Sequence, residues 1–243
     1  MKRITQEELN KILEEHRLWF QTNGEEGTKA DLSFTILRKL DLREADLREA
    51  NLTCACLNYI DLSGANLSYA DLSNANLIGA NLTRANLTCA NLSCVDLEDA
   101  KLEGAKLSYS NLSGANLRYS NLSCASLRYS NLNYIDLSGA NLKYVSLNYA
   151  NLVGANLTKA DLTGTDLSQT SIQNIIGLEI YSIDNIGTFN GKVTYIPKYD
   201  RVYAGCWGGN LEEFLEKGLE MNEENNKQCT NIVLAYQFFK NQI

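Results

Sequence analysis

The 243-residue sequence contains one proline, one histidine and no apolar run that approaches the length of a membrane span. A helix needs about 20 consecutive apolar residues to cross a bilayer. Residues 4–8 become acidic where a signal peptide would require an apolar stretch. We therefore expect a cytoplasmic protein that does not bind a membrane. No Gly-x-Gly-x-x-Gly or Gly-Lys-Ser/Thr motif occurs, which excludes the common phosphate-binding loops.

Residue groupings typical of an enzyme or a metal site are also missing. Seven cysteines are present, but no Cys-x-x-Cys occurs, and His16 has no Ser, Cys or Asp near it in a recognisable motif. We expect free thiols in a reducing compartment, no metal, no cofactor and no enzymatic activity. Two alternatives stay open: His16 as a base instead of a packing residue, and Cys206 beside Trp207 as a reactive thiol instead of a buried one.

What the sequence does have is one five-residue pattern, repeated 29 times over residues 30–174 without insertion or deletion. Leu occupies the central position up to the last unit, which has Ile, and a small or β-branched residue stands two places before it except at Leu40. A period of five fits neither a helix nor a flat strand, so each unit must be one side of a coil that returns on itself. The inward positions then form a core ladder, which includes Leu32, Leu52, Leu72, Leu92, Leu107, Leu112, Leu132, Leu152 and Ile172.

Units such as Ala-Asn-Leu-Thr-Arg at residues 80–84 resemble the pentapeptide repeat family, whose unit is written A(D/N)LXX. The resemblance covers 145 of the 243 residues. It implies a mainly β fold, a right-handed quadrilateral β-helix (a β-solenoid) with four units per coil and about seven coils. Coils that pair like strands about 4.8 Å apart would form a rod about 35 Å long with no room for a cavity.

Residues 1–29 are predicted to form an N-terminal helical cap over the first coil. Thr5 and Glu8 match a capping box, and Ile4 with Leu9 match the hydrophobic staple around it. Such a cap is expected because a solenoid leaves an open strand edge and an uncovered core at each end. The residues on one face of the predicted helix are Leu9, Ile12, Leu13, His16, Trp19 and Phe20.

After Ile172 the period is lost. Residues 175–191 are interpreted as a cover for the last coil followed by a linker at 187–191, and residues 192–243 as a small α+β domain. Its predicted elements are a hairpin of strands 192–196 and 201–206 and two helices, one beginning at Leu211 after an N-cap box of Asn210 and Glu213, and one spanning residues 223–241. The inward residues expected on the second helix are Ile232, Val233, Tyr236 and Phe239. The segments 205–207 and 211–214 resemble a terminal module of other bacterial and phage pentapeptide repeat proteins, a weaker resemblance that implies no activity.

Outward positions carry whatever specificity the rod has. With twenty residues per coil, four tyrosines fall on one side in nearly consecutive coils, with Cys89 in the one gap; we name them the tyrosine file: Tyr69, Tyr109, Tyr129 and Tyr149. Tyr59 and Tyr119 lie on a second side. Stacked rings would reinforce the coil interface, or these six residues form a partner surface, since exposed aromatic clusters mark interfaces.

The leading hypothesis is a non-enzymatic scaffold, a monomer or weak dimer, that binds another protein and not nucleic acid directly. An alternative follows from the resemblance, because the family's best known mechanism is mimicry of DNA at a type II topoisomerase such as gyrase, as in quinolone resistance. Residues 30–104 carry eleven acidic against six basic side chains, but residues 105–174 carry three against five. A faithful mimic needs about ten carboxylates in that second half. The second alternative is a small-molecule or catalytic role for residues 188–243.

Overall fold

The structure, a computed structural model, describes residues 1–184, 192–205 and 207–242. Its largest part is a stack of coils in which residues twenty positions apart form parallel bridges, from Asp31 with Asn51 to Asn156 with Ile176. A coil therefore contains four five-residue units, as the resemblance implies. The linker at 187–191 and Cys206 lie outside the described residues.

Each unit contains one tight turn. The N–H of Ala50 donates to the carbonyl of Leu47 at 3.1 Å, and Glu49 between them has φ +59°. A bond from residue i+3 to residue i, with a positive φ at i+2, is the pattern of a type II turn. The Asn or Asp before the leucine supports the turn, because its Oδ1 accepts the N–H two residues on, as from Ser93 to Asn91 at 3.2 Å. This explains why most units have Asn or Asp at that position.

Neighbouring coils are joined through their backbones and their leucines. The N–H of Leu92 donates to the carbonyl of Asn111 at 2.7 Å, and the N–H of Asn91 donates to the carbonyl of Ala70 at 2.9 Å. Asn131 also donates its side-chain amide to Asn111, 3.0 Å away. The central leucines from Leu32 to Leu152 are fully buried, and Ile172 at the end is nearly so. These side chains are closely packed and shielded from water, so the hydrophobic effect is the main contribution to the stability of the stack.

The N-terminal end is covered by a strand and a helix. Strand β1, Lys2–Arg3, pairs in parallel with β2, Thr35–Ile36, and was not expected from the sequence. Helix α1 covers Gln6–Gln21 and begins with a capping box in which Thr5 and Glu8 bond to each other's N–H groups at 3.2 and 2.8 Å. Leu9 is fully buried on the ladder, while Ile12 and Leu13 pack against it in part.

The C-terminal part contains a four-stranded antiparallel sheet in the order β3–β4–β5–β6, followed by two helices. Its elements are β3 at Tyr181–Asp184, β4 at Lys192–Ile196, β5 at Arg201–Ala204, β6 at Trp207–Gly209, α2 at Leu211–Glu220 and α3 at Asn226–Lys240. The predicted hairpin corresponds to β4 and β5, so the prediction of two strands was incomplete. β3 lies inside the segment that was interpreted as cover and linker, although its four residues alternate between apolar and polar. β6 has glycine at two of its three positions, which hides any strand pattern.

The two helices pack on this sheet. α2 begins with the expected capping box, in which Asn210 and Glu213 bond to each other's N–H groups at 2.8 and 2.9 Å. α3 buries Ile232, Ala235, Tyr236 and Phe239, which are spaced as one helical face. Val233 is 40% exposed, so its predicted inward position was wrong, because it lies next to that face and not on it.

Two tyrosines of the C-terminal sheet region bond to the last coil. The Tyr199 hydroxyl accepts the N–H of Leu162 at 3.0 Å and donates to the carbonyl of Ala160 at 3.3 Å. The Tyr203 hydroxyl donates to the carbonyl of Thr165 at 2.6 Å. In the interior coils the corresponding backbone groups pair with the backbone of the following coil. These hydroxyls therefore replace the missing next coil.

Candidate partner surface

Every candidate tyrosine occupies the same place in its unit, the third position of the tight turn. The φ angles of Tyr109, Tyr129 and Tyr149 are +63°, +58° and +59°. This left-handed region is unusual for a bulky side chain. The turn bond and the bonds between coils hold the backbone there, so the direction of each ring is set by a rigid corner.

Three members of the tyrosine file form a continuous stack. The rings of Tyr109 and Tyr129 are 5.0 Å apart and inclined by 4°, and those of Tyr129 and Tyr149 are 4.8 Å apart and inclined by 3°. Their exposed fractions are 60%, 43% and 43%. We call these three residues the stacked tyrosines. They present parallel ring edges to solvent at the spacing of the coils.

The other candidate tyrosines are arranged differently. Cys89 separates Tyr69 from the stack, and a hydrogen bond to Cys89 raises the pKa of Tyr69 above its usual value. Tyr59 lies over Gly79 and Tyr119 over Gly139, so closely that a Cβ on either glycine would approach ring atoms to 2.6 Å. The predicted surface of six tyrosines therefore separates into a stack on one side and single rings seated on glycines on another.

Sequence reasoning missed this pairing of tyrosine with glycine. Tyr134 and Tyr144 repeat it over Gly154 and Gly164. The signal was present in the sequence, since all four glycines follow their tyrosine by twenty residues. An L side chain at the same place would meet the ring, so glycine has a packing role here in addition to its tolerance of positive φ.

Two arginines lie beside exposed tyrosines in the second half of the rod. The Arg128 guanidinium lies 5.8 Å from the ring centre of Tyr129, within the range of a cation–π contact, and Arg118 lies 5.4 Å from that of Tyr119. Hydrogen bonding to the Tyr119 hydroxyl, followed by the charge of Glu98, raises the pKa of Arg118 above its usual value. Both arginines sit beside exposed rings, so this half presents aromatic edges with a cationic border.

In the acidic first half several carboxylates are already paired. Asp41 binds Arg43 at 2.7 Å, and Asp46 binds Arg48 at 2.6 Å. Hydrogen bonds from Arg43 lower the pKa of Asp41 to about 2. Part of the negative charge of this half is therefore neutralised by adjacent arginines.

Among the described residues, the side chains that could perform acid-base, nucleophilic or metal chemistry do not converge on one site. His16 is buried, its Nδ1 accepts the N–H of Ala30 at 3.1 Å, and its ring stacks with Trp19 at 5.9 Å. The six cysteines in the described ranges are free thiols. Within residues 1–184, 192–205 and 207–242, no cluster of His, Cys, Asp or Glu is arranged to hold a metal ion. No helix in the described part of the chain is long and apolar enough to span a membrane.

Comparison with known families gives one match. The family described as pentapeptide repeats matches in eight copies, over residues 28–64, 65–104, 96–133 and 135–174. No curated protein matches the chain.

Several solved structures are similar to the repeat region. HetL, a pentapeptide repeat protein involved in heterocyst differentiation regulation from the cyanobacterium Nostoc sp. strain PCC 7120, is 40% identical, with 59% of this chain and 68% of that chain covered and a TM-score of 0.44. A trypsin-treated variant of QnrB1, a plasmid-mediated fluoroquinolone resistance protein, is 15% identical over 60% and 89% of the two chains, with a TM-score of 0.38. A pentapeptide repeat protein from the Arabidopsis thaliana thylakoid lumen is 29% identical over 43% and 66%, with a TM-score of 0.21.

Proposed function

This chain belongs to the pentapeptide repeat family, and we propose that it is a non-enzymatic scaffold that binds another protein through the stacked tyrosines. The scaffold would be the family's right-handed quadrilateral β-helix. We further propose that it acts in the cytoplasm, which the six free thiols of the described residues support.

The observation that carries this proposal is the parallel arrangement of three exposed rings, 5.0 and 4.8 Å apart, on a hydrogen-bonded corner. Tyrosine supplies a large contact area and a hydroxyl at a low cost in conformational entropy. Because the backbone and the neighbouring rings already hold each ring in place, the tyrosine side chains would lose little further freedom when a partner binds. Aromatic anchors of this kind are enriched among residues that dominate binding free energy.

The DNA-mimic alternative has weaker support. Residues 105–174 contain only three carboxylates, Asp136, Asp161 and Asp166, and Asp161 is paired with Lys143 at 3.2 Å. In the first half, Asp41 and Asp46 are paired with arginines. A regular line of unpaired negative charge, which mimicry of duplex DNA requires, is therefore not formed along both halves. Inhibition of gyrase supercoiling by the purified protein would favour the alternative, and no effect would remove it.

The proposal is tested by capturing partners from a lysate of the native host with wild type and with Tyr109, Tyr129 and Tyr149 all changed to Ser. The matched control changes Tyr119, Tyr134 and Tyr144 to Ser, which removes three exposed rings that sit on glycines. We expect the control to retain the partner and the first variant to lose it, with Kd raised at least about 30-fold for the purified pair. Equal capture by both variants would refute a role for the stacked tyrosines.

The other alternative is that residues 188–243 carry the function, in small-molecule binding or catalysis. A truncated variant that ends at residue 187 distinguishes this alternative from the proposal. Partner capture that survives this truncation belongs to the rod, whereas capture that disappears belongs to the C-terminal part or to the end of the rod that it covers.

A further inference from the structure

A groove of about 600 Å³ lies at the N-terminal end of the rod, away from the stacked tyrosines. Its lining consists of Arg3, Ile4, Ile36, Arg38, Lys39, Asn58 and Tyr59. The volume is within the range of about 300 to 1,000 Å³ that is usual for sites of small ligands.

The fold brings these residues together from three distant stretches of sequence. The parallel pairing of β1 with β2 places Arg3 beside Ile36, and Arg38 follows two residues later. Lys39 occupies the left-handed position of its turn, with φ +73°. Asn58 and Tyr59 follow Arg38 and Lys39 by one coil of twenty residues, so they lie next to them in the stack.

Three cations border this groove, and none of the described residues that line it is acidic. In the part of the chain that the structure describes, Arg3, Arg38 and Lys39 form no ion pair within 4.0 Å. By contrast, nearby Arg43 and Arg48 are each bound to an aspartate. In a chain with a net charge of −7, a concave site with unpaired positive charge attracts anions.

Tyr59 adds a flat apolar wall to the positive charge. One side of its ring is seated on Gly79, which fixes its position, and the ring also borders the groove with 75% of the residue exposed. An aromatic face of this kind stacks with a planar heterocycle. The guanidinium groups of Arg3 and Arg38 border the same groove. One guanidinium group can donate two parallel hydrogen bonds to the oxygens of a phosphate.

From this combination we propose that the groove binds a mononucleotide that carries a di- or triphosphate. Arg3, Arg38 and Lys39 bind the phosphates, the Asn58 amide donates to a ligand oxygen, and the base stacks on Tyr59. The site differs from a phosphate-binding loop because side chains, and not backbone N–H groups of a glycine-rich turn, provide the donors. It is also independent of partner binding at the stacked tyrosines.

Titration calorimetry of the full chain with ATP at low salt tests the proposal. We expect binding that weakens at least about tenfold in Arg3→Gln and in Arg38→Gln, because each removes a charge-assisted bond to phosphate. The matched control is Arg43→Gln, which changes the same residue type at the same turn position one unit later but removes an arginine already paired with Asp41. This control should bind ATP as wild type does.

Further measurements distinguish the contribution of the base to the affinity from that of the phosphates. Tyr59→Ser should weaken ATP binding while leaving the weaker binding of pyrophosphate unchanged. The proposal is overturned if ATP does not bind, if Arg43→Gln loses as much affinity as Arg38→Gln, or if pyrophosphate binds as tightly as ATP. Binding to vesicles of anionic phospholipid without binding to ATP would also overturn it, in favour of a lipid headgroup. Unchanged melting temperatures of the variants ensure that lost binding reflects the site and not the fold.

Discussion

At the scale of single residues, the corner position of each unit combines an unusual backbone angle with a neighbour twenty residues away. Gly139 has φ +70° and lies under the ring of Tyr119, whereas Gly104 has φ +64° and its nearest side-chain atom, from Arg84, would be 3.7 Å from an added Cβ. Both glycines therefore relieve the same backbone cost, but only Gly139 also makes room for a ring. The pair separates these two effects.

We predict that Gly139→Ala destabilises the protein more than Gly104→Ala does. Each substitution places an L residue in the left-handed region, which costs roughly 1–2 kcal/mol. The Cβ at position 139 additionally displaces the Tyr119 ring, which adds about 1 kcal/mol through an unfavourable side-chain angle. Chemical denaturation of the two variants measures the difference in the free energy of unfolding.

The double variant Gly139→Ala with Tyr119→Ser provides the control. Without the ring, the closest atoms to the alanine Cβ are removed, so the extra loss at position 139 should disappear. Equal destabilisation by Gly139→Ala and Gly104→Ala would show that the ring moves aside at no cost.

The corner position itself was predictable, because seven glycines occur there in the repeat, but the placement of the rings was not. The period assigns Tyr119 and Gly139 to adjacent coils. It does not show whether a tyrosine ring stacks on another ring or lies on the residue twenty positions later. That choice depends on what occupies the next coil. Where the next residue is tyrosine, as along Tyr109, Tyr129 and Tyr149, the rings stack; where it is glycine, they lie flat.

At the scale of elements, the two ends of the rod are closed by different means. At the N-terminal end, β1 continues the parallel backbone pairing and α1 covers the leucines. At the C-terminal end, the Tyr199 and Tyr203 hydroxyls bond to backbone groups of the last coil. Burial raises the pKa of Tyr203 above its usual value, so this hydroxyl remains a donor at neutral pH.

We predict that Tyr199→Phe speeds the hydrogen exchange of the Leu162 amide. The variant keeps the ring but leaves the Leu162 N–H and the Ala160 carbonyl without their partner, which costs about 1–3 kcal/mol where the groups are buried. Amide exchange followed by NMR measures this at one residue. Tyr144→Phe is the control, because that hydroxyl is on an exposed ring, and protection of Leu162 that is unchanged in Tyr199→Phe would contradict the role assigned to the hydroxyl.

The elements outside the repeat were only partly predictable. Helices α1 and α2 carry capping boxes that are visible in the sequence, and their N-caps are Thr5 and Asn210 as those boxes indicate. Strands β1 and β6 contain two and three residues, too few to show a period of two, and the four residues of β3 are the shortest run in which one can be seen. Their pairing depends on the coil or strand that they meet in space, and that information is not local in the sequence.

At the scale of the whole molecule, the pH dependence of stability reflects how few groups titrate near neutrality. His16 is the only histidine, and burial, the largest cause, lowers its pKa below the usual 6.5. Its Nδ1 must stay unprotonated to accept the Ala30 N–H. Carboxylates such as Asp41, Asp46 and Asp161 have pKa values lowered by hydrogen bonds, chiefly from Arg43, Arg48 and Thr163 respectively, and they titrate below the usual 3.8.

We therefore predict two separate steps of acid destabilisation. As the pH falls below 6.5, the unfolded chain protonates His16 while the folded chain does not, so stability is lost until the folded pKa is reached. Each pH unit between the two pKa values corresponds to about 1.4 kcal/mol. The carboxylates act at lower pH, because their folded pKa values are depressed and their contribution is lost only below 3.8. Melting temperatures measured from about pH 7 to about pH 3 should show both steps.

His16→Asn isolates the upper step, because the Asn Oδ1 takes the place of Nδ1 as the acceptor for Ala30 but does not titrate. The smaller side chain leaves a gap beside Trp19, so the variant is less stable at every pH. Its melting temperature should nevertheless stay constant between about pH 7 and about pH 5, while the lower step is retained. A decline in that range as steep as that of wild type would mean that the upper step comes from groups other than His16. It would also leave the sensitivity of the N-terminal cap to mild acid without its proposed cause.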